Sequence, residues 1–408
     1  MKVAVVNCGS SSIKYEVFGA EDLVMVANGQ IEKIGGSGSF LKQRKRKPDG
    51  TFDEQSYAKP LMDHHEAFEL MARVNREDRV IKDDSEIAGI GHRVVHGGEL
   101  FREPTVIDND VIAAIRTLIP LAPLHNPSNL LGVEAAMARF PGVPQVAVFD
   151  TAFHHTLPAH ALHYAVPSAW YADYHVRRYG FHGTSHLYVS NEAARYLSKK
   201  PHELNLITLH LGNGASAAAI KGGSSVDTSM GMTPLEGLIM GTRSGDMDPA
   251  LHFYLMRETG MSSESLEKAL NSQCGLKGVC GFNDMREILD RAGKGDDRAG
   301  LAIEMFCYRI KKYIGSYFAV LGRVDGIVFT GGIGENAASV RSRVCHGLEH
   351  MGIAVDEGRN AGISEDVAEI QERSAPIKIL VVKTDEEREI ARQTILAIRG
   401  IPSLSRQR

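Results

Sequence analysis

Asn7-Cys8-Gly9-Ser10-Ser11-Ser12-Ile13-Lys14 places a glycine turn, three hydroxyls and an ammonium side by side. A glycine turn can aim several backbone N–H groups at one point, and hydroxyl and ammonium donors around it suit phosphate oxygens. It is not a P-loop, because Gly-x4-Gly-Lys-[Ser/Thr] followed by a helix is absent. A serine-rich hairpin turn that binds nothing has the same composition. A second turn, Gly212-Asn213-Gly214-Ala215-Ser216, and a third glycine loop, Thr330-Gly331-Gly332-Ile333-Gly334-Glu335-Asn336, shift the balance to nucleotide binding: three loops can hold phosphates and adenosine.

Five further placements carry charge or an imidazole. Asp150 ends the apolar run Gln145–Phe149, where ligands of α/β sheets bind; it could hold Mg²⁺ through water, orient a reacting group or cap a helix. The adjacent His154 and His155 lack zinc spacing, so no metal role is expected of them. His182 lies between Gly180 and Gly183 immediately before a helical pattern, where the backbone can approach an anion; His186, inside that pattern, reads as packing or surface. Arg93 in Gly91-His92-Arg93-Val94-Val95-His96-Gly97-Gly98 and Arg243 in Gly241-Thr242-Arg243-Ser244-Gly245 offer guanidinium forks suited to carboxylate or phosphate. Lys383-Thr384-Asp385-Glu386-Glu387 opens the last helix, where acidic residues also simply favour the helix dipole.

The elements that must position these groups are legible as periodicity. Val3–Val6 and Ile13–Phe18 read as a hairpin around the first turn, and Leu206–Leu211 and Ala217–Ile220 as a second hairpin about 200 residues on, which hints at a duplicated domain. Strands are expected at Ile87–Val95, Gln145–Phe149, Gly326–Phe329 and Ile377–Val382. Helices are expected at His65–Asn75, Val111–Ile119, Leu130–Ala138, Thr184–Leu197, Ser263–Leu270, Arg298–Phe318 and Asp385–Arg399. Strands and helices interleave, so the class is α/β. Gly35–Lys47 with Pro48-Asp49-Gly50-Thr51 reads as an exposed hairpin, its Lys42–Lys47 charge run a solvated tip or an anion contact.

With 408 residues, two or three domains are expected at roughly 150 residues each. A net charge of −4 argues against a generally basic nucleic-acid surface, so an anionic ligand must be met by local charge. Five cysteines, odd and sparse, suit a reducing compartment, and neither a signal peptide nor an apolar run of about 18 residues is visible; a soluble cytoplasmic protein, with no membrane partner, is the expectation.

In this order the motifs resemble the acetate kinase family, the acetokinase branch of the superfamily of sugar kinases, heat-shock chaperone ATPases and actin. The resemblance runs from Asn7–Lys14 through Gly91–Gly98, Leu121–Pro127, Phe149–His154, Tyr179–His186, His210–Ser216, Asp227–Pro249, Phe282–Arg286 and Thr330–Asn336 to Thr384–Glu387, nearly the whole chain. It implies two duplicated actin-like ATPase domains (βββαβαβα) with a nucleotide cleft between them. One would be 1–150 plus 386–408, including the returning last helix, and the other 151–385. A homodimer is implied too.

Carried over residue by residue, the resemblance makes Asn7 and Glu386 the magnesium site, with Mn²⁺ able to replace Mg²⁺. Lys14, Ser10 and Ser12 become nucleotide contacts, together with His210, Leu211, Gly212, Asn213, Gly214, Asp284, Met285, Arg286, Gly332, Ile333, Gly334, Glu335 and Asn336. Arg93 and Arg243 resemble the arginines that hold the carboxylate and the transferring phosphoryl group, Asp150 the essential acid and His182 the transition-state stabiliser; His125 and Asn213 support the site. Val95, Leu124, Phe181 and Pro234 resemble a methyl-pocket lining with room for a very short acyl tail, Val95 favouring acetate over propionate. One departure stands out: where the family usually has Thr-Asn-Glu-Glu, this chain has Thr384-Asp385-Glu386-Glu387.

The expected reaction is direct, reversible in-line phosphoryl transfer between ATP and acetate, giving acetyl phosphate and ADP. Acetate is already ionised near neutral pH, so the chemistry needs cations more than a base. Asp150 is then an organiser of metal and arginine more than a proton acceptor. A propionate or butyrate kinase of the same family is the nearest rival. An ATP-driven chaperone-like or filament-like machine is the other, disfavoured because the two domains consume nearly all of the chain and leave only 400–408 as a tail.

Overall fold

The computed structural model describes residues 1–401. The chain divides into two compact units, Met1–Ala152 with the segment from Asp385, and Phe153–Thr384. The expected boundaries were 150/151 and 385/386; the last seven residues of the expected 386–408 segment, and of the 400–408 tail, lie outside the described residues.

The first unit is built on eight strands: β1 (Lys2–Cys8), β2 (Ser12–Gly19), β3 (Met25–Glu32), β4 (Phe40–Arg46), β5 (Phe52–Ala58), β6 (Ile87–Val94), β7 (Thr105–Val106) and β8 (Gln145–Phe149). Their order is β5-β4-β3-β2-β1-β6-β8-β7, antiparallel from β5 to β1 and parallel across β1, β6 and β8. The second unit carries β9 (Asn205–Leu211), β10 (Ala215–Lys221), β11 (Ser224–Thr228), β12 (Gly326–Thr330), β13 (Val367–Glu369) and β14 (Lys378–Val382), ordered β11-β10-β9-β12-β14-β13. In each unit an antiparallel meander of three strands continues into two parallel ones, β3-β2-β1-β6-β8 in one and β11-β10-β9-β12-β14 in the other. The duplication read from two hairpins is therefore visible in the sheet order.

Burial explains the patterns. Val3, Val5, Val146 and Val148 pack with Ile390 and Ala391 of the C-terminal helix Glu386–Ile398, which fixes that helix on the first sheet. Helices His64–Glu77 and Asn126–Arg139 cover the other face through Ala67, Phe68, Met71 and Ala135. In the second unit, alanine-rich β10 is buried over Ala215–Ile220, and its small side chains admit the helix Asp297–Leu321 against it. Aspartates close many helix starts; Asp63, Asp108, Asp296 and Asp385 each accept a backbone N–H of the first turn.

Two expectations need correction. The Lys42–Lys47 run is not a tip: its residues to Arg46 lie in β4, paired along their length with β5, with Leu41 and Gln43 facing inward, Lys45 beside them donating to Asp78 O, and Lys42, Arg44 and Arg46 facing outward. The tip is the turn between Lys47 and Thr51. The third glycine segment is not a loop before a helix but itself the helix Gly331–Asn336, starting directly from β12. Among the described residues no helix is long and apolar enough to cross a membrane.

Candidate functional site

In the first unit, chemistry gathers at the C-terminal ends of the parallel strands. Arg93 lies one residue from the end of β6, Asp150 directly follows β8, and the Asp150 N–H donates to Val94 O at 3.0 Å. Asp150 is 1 % exposed. Arg93 donates through Nε (3.2 Å) and Nη2 to the two oxygens of its carboxylate, a bidentate pair. The Asp150 charge holds the Arg93 guanidinium above its usual range, although burial works against this and Glu386 adds to it. Glu386, at the first position of the C-terminal helix, has its carboxyl pushed up to about 7 by loss of water; Arg93 opposes that shift and Asp150 reinforces it. A cation would relieve this crowding of carboxylates.

Asn7, one residue from the end of β1, pairs with Lys14 on β2, and the turn beyond them closes through Gly9 N–H to Ser12 O at 2.8 Å. Ser10 and Lys14 are exposed and Ser12 half-buried. Val95 is buried, with its N–H on Asn129 Oδ1 at 3.1 Å, whereas Leu124 is 69 % exposed. His125 stands at the start of the helix Asn126–Arg139, which begins four residues earlier than expected. Asp385, the departure from the family pattern, caps the C-terminal helix by accepting from Arg388 N–H at 2.9 Å, a task asparagine performs equally well.

In the second unit, β9 and β12 run parallel with His210 opposite Thr330, so the Gly212–Gly214 turn and the helix Gly331–Asn336 leave the sheet side by side. Gly331 has φ +75°, and a Cβ there would lie 2.8 Å from Leu211 O. No other residue allows this approach. With Asn283–Arg286, at the start of helix Met285–Gly293, these segments enclose a cavity of about 650 Å³ lined by Gly212, Asn213, Asn283, Asp284, Met285, Arg286, Leu289, Gly332, Ile333, Asn336 and Ala337. Eight of the residues expected to contact nucleotide are thus brought together, and the volume lies within the usual range for small-molecule pockets, roughly 300–1,000 Å³. Leu211 and Gly334 are buried behind this lining. Glu335 turns inward, its Oε1 accepting from Gly331 N–H at 2.9 Å and Thr384 N–H at 3.0 Å.

His182 adopts a left-handed backbone, φ 54°, at the start of helix Gly183–Tyr196. Its ring stacks on that of His210 at 4.3 Å. A methyl group on Gly214 would lie 3.1 Å from Arg243 Nη2 and 3.4 Å from His182 Nε2, so both groups converge on one bare stretch of backbone. Burial lowers the Arg243 guanidinium from its usual range, and Nη1 donates to Pro234 O at 2.8 Å. Phe181, buried beside His182, accepts at its carbonyl from His154 Nε2 at 3.1 Å. His154 is committed to this bond and to Ser225, and among the described residues no cluster of three or more His, Cys, Asp or Glu is arranged to hold a metal.

Several residues that position the site carried no sequence signal. Arg341, fully buried, donates to Gly334 O at 2.8 Å and Glu335 O at 2.9 Å and so braces the glycine helix; burial pushes its guanidinium down to about 10. Arg178 donates to Thr228 O and Met230 O, each at 3.0 Å, and to Glu236 at 2.6 Å, tethering the segment that carries Pro234. His186, read as packing or surface, is 0 % exposed and hydrogen-bonded at both ring nitrogens. An arginine in a helical pattern reads as surface; only the fold reveals the carbonyls it meets.

Two sheets of one strand order, one ending in a bidentate arginine–carboxylate pair and the other in glycine turns around a cavity, define an α/β protein whose strand ends gather anion-holding groups. The chain belongs to the Acetokinase family, whose profile matches residues 2–392. It is 57 % identical over 400 residues to an acetate kinase of Syntrophobacter fumaroxidans, covering 98 % of this chain and 97 % of that one. Its fold matches the crystal structure of Porphyromonas gingivalis acetate kinase with a TM-score of 0.92, at 46 % identity over 97 % of this chain and 99 % of the other. A propionate kinase from Francisella tularensis matches with a TM-score of 0.90 at 39 % identity, over 98 % and 99 % of the two chains.

Proposed function

We propose that this chain is an acetate kinase, transferring the γ-phosphoryl group of ATP reversibly and in line to acetate. The convergence of His182 Nε2 and Arg243 Nη2 on Gly214, beside the cavity behind the glycine turns, is the observation that carries the reading. In-line phosphoryl transfer leaves little covalent work for the protein, and catalysis rests on positioning and on cations and donors around the flat transition state. Arg243 and His182 meet the transferring group. The cavity holds ADP or ATP, with Lys14, Ser10 and Ser12 as further contacts. Arg93 holds the acetate carboxylate. Asp150 is an organiser: both of its oxygens are occupied by Arg93, which leaves it poorly disposed to accept a proton from a substrate that carries none.

An oxygen-only donor set, the Asn7 amide and the Glu386 carboxylate with Asp150 nearby, suits a hard cation that keeps several waters and phosphate oxygens as its remaining ligands. Mg²⁺, with Mn²⁺ able to replace it, would neutralise phosphate charge there. Val95, Leu124, Phe181 and Pro234 border the acyl tail, with His125 and Asn213 as supports. The two compact units correspond to the family's two domains. We place the protein in the cytoplasm, in keeping with free thiols at Cys8, Cys274, Cys280, Cys307 and Cys345. A homodimer is supported by Leu251, Phe253 and Tyr254, exposed together on one helix. Sedimentation giving a monomer would remove that assignment.

The likeness to the Francisella propionate kinase favours propionate as the second reading. Hydroxylamine trapping of acyl phosphate with acetate, propionate and butyrate at matched concentrations decides: the highest kcat/KM is expected with acetate, and a preference for propionate would overturn the assignment. No acyl phosphate with any of the three would overturn the reaction itself.

A further inference from the structure

His182 does not stand alone in its unit. Its Nδ1 lies 2.9 Å from Ser216 Oγ; Ser216 Oγ lies 2.8 Å from His186 Nε2; His186 Nδ1 lies 2.7 Å from Thr208 Oγ1. Thr208, His186 and Ser216 are each 0 % exposed. The chain runs through the sheet: Thr208 is on β9, Ser216 on β10, and both imidazoles come from the loop and first turn of helix Gly183–Tyr196.

The direction of the hydrogen bonds follows from counting protons. Among the described residues Thr208 Oγ1 has one side-chain partner, His186 Nδ1. A buried O–H left without an acceptor costs roughly 1–3 kcal/mol, so this hydroxyl donates. His186 Nδ1 is then an acceptor. Burial, with His154 and His210 nearby, holds the His186 imidazole well below its ordinary value and thus neutral, so its single proton sits on Nε2 and is donated to Ser216 Oγ. The Ser216 hydroxyl proton points to His182 Nδ1. A neutral His182 can then carry its proton only on Nε2, the nitrogen that faces Gly214 and Arg243 Nη2. Of the neighbouring imidazoles, His154 is bonded to Ser225 and Phe181 O, and His210 Nδ1 lies 2.8 Å from Ser185 Oγ.

We propose that Thr208, His186 and Ser216 form a buried relay that fixes His182 in its Nε2–H tautomer, so that the ring presents a hydrogen-bond donor beside Arg243. Its catalytic meaning rests on the transition-state role given to His182 above; the tautomer itself does not. Thr208, His186 and Ser216 are positioning residues. They act on the reacting group only through the proton they keep off His182 Nδ1.

The test is ¹⁵N NMR of protein labelled in its histidine rings, at a pH where His182 is neutral, with the His182 resonance assigned by its loss in His182→Gln. The nitrogen shifts report which ring nitrogen carries the proton. The wild type is expected to show Nε2–H; finding Nδ1–H overturns the proposal without any variant. Thr208→Val keeps shape and removes the terminal donor, and should move His182 toward the other tautomer and lower kcat about tenfold or more, while KM for ATP and acetate changes less than twofold. Thr208→Ser, which restores a hydroxyl, should recover both tautomer and kcat. Ser216→Ala breaks the chain at a second point and gives the same reading should Thr208→Val fold poorly. A folded Thr208→Val or Ser216→Ala protein with the wild-type tautomer and kcat sinks the relay. Loss of His182 itself, in His182→Gln, without loss of turnover would instead sink the catalytic role of the ring and leave the tautomer result standing.

Discussion

The two units share a strand order and solve the handling of anions in opposite ways. At the strand ends of the first, fully charged groups crowd together: Arg93 grips Asp150 through two hydrogen bonds, and Glu386 is forced toward neutrality beside them. At the corresponding ends of the second, glycine backbone takes the place of buried charge. Glu335 is spent on backbone N–H groups, and the cavity is lined by glycine backbone, asparagine amides and the Asp284–Arg286 pair, with His182 and Arg243 meeting at Gly214. In the proposed function, a small carboxylate and a hard cation are met by compact charge. In the same proposal a polyphosphate is met by backbone donors, which carry direction without a desolvation cost as large as that of buried charge. One fold hosts both because the strand ends only position loops, and the loops supply the chemistry.

The sharpest way to break this contrast is to remove an arginine from each unit. Arg243→Ala should lower kcat about 10³-fold with acetate KM little altered, as for other lost transition-state donors, whereas Arg93→Ala should raise acetate KM as well as lower kcat. Steady-state kinetics with both substrates varied checks this; indistinguishable effects would dissolve the division of labour. Next in size is Gly275→Ala. Gly275 has φ +62°, and a Cβ there would meet Met240 O at 2.1 Å and Arg243 O at 2.6 Å. Displacing that backbone should cost between about tenfold and a hundredfold in kcat, by analogy with other small misplacements of catalytic groups, while nucleotide affinity measured by calorimetry holds.

Acid should separate the units by their buried histidines. Burial takes His92 in the first unit and His154 in the second down to about 4, and holds His186 well below its ordinary value. In each case the unfolded chain binds the proton more readily, so stability is intact above about pH 6.5 and lost as pH falls toward 4. At pH 5 the loss is about 2 kcal/mol for each histidine shifted to about 4, and His186 adds to the second unit's share. The single tryptophan, Trp170, reports on the second unit alone. Its urea midpoint should drop more between pH 7 and 5 than that of the far-ultraviolet signal of the whole chain; coincident drops would mean that the units unfold together. The smallest effect is expected from Val95→Ala. One added methylene of room is worth roughly 1–3 kcal/mol at most, so propionate should gain several-fold in kcat/KM relative to acetate. An unchanged ratio would remove Val95 from the acyl pocket.

Much of this was legible in one dimension because it is local. Continuous apolar runs mark β1, β9 and β10 and alternation marks β2, and the glycine turns between them follow from the short spacing. The placement of Asp150 at the end of an apolar strand reads directly, as does that of His182 before a helix. Side chains that act at a distance did not read. Arg341 bonds to carbonyls six and seven residues back, and nothing in its type or spacing shows that the fold buries its guanidinium. His186 and Ser216 meet across 30 residues, and neither type nor spacing distinguishes a relay member from an ordinary core residue.

The amino-acid sequence by itself determined which segments are strands, where glycine must stand and which residues can carry charge, because backbone sterics and hydrophobic periodicity act between near neighbours. Tertiary structure alone decided which hydroxyl meets which imidazole, which carboxylate is stripped of water beside other charges, and which arginine is buried. Those outcomes depend on desolvation and on hydrogen-bond geometry at a few ångströms, and only the packed chain sets such distances.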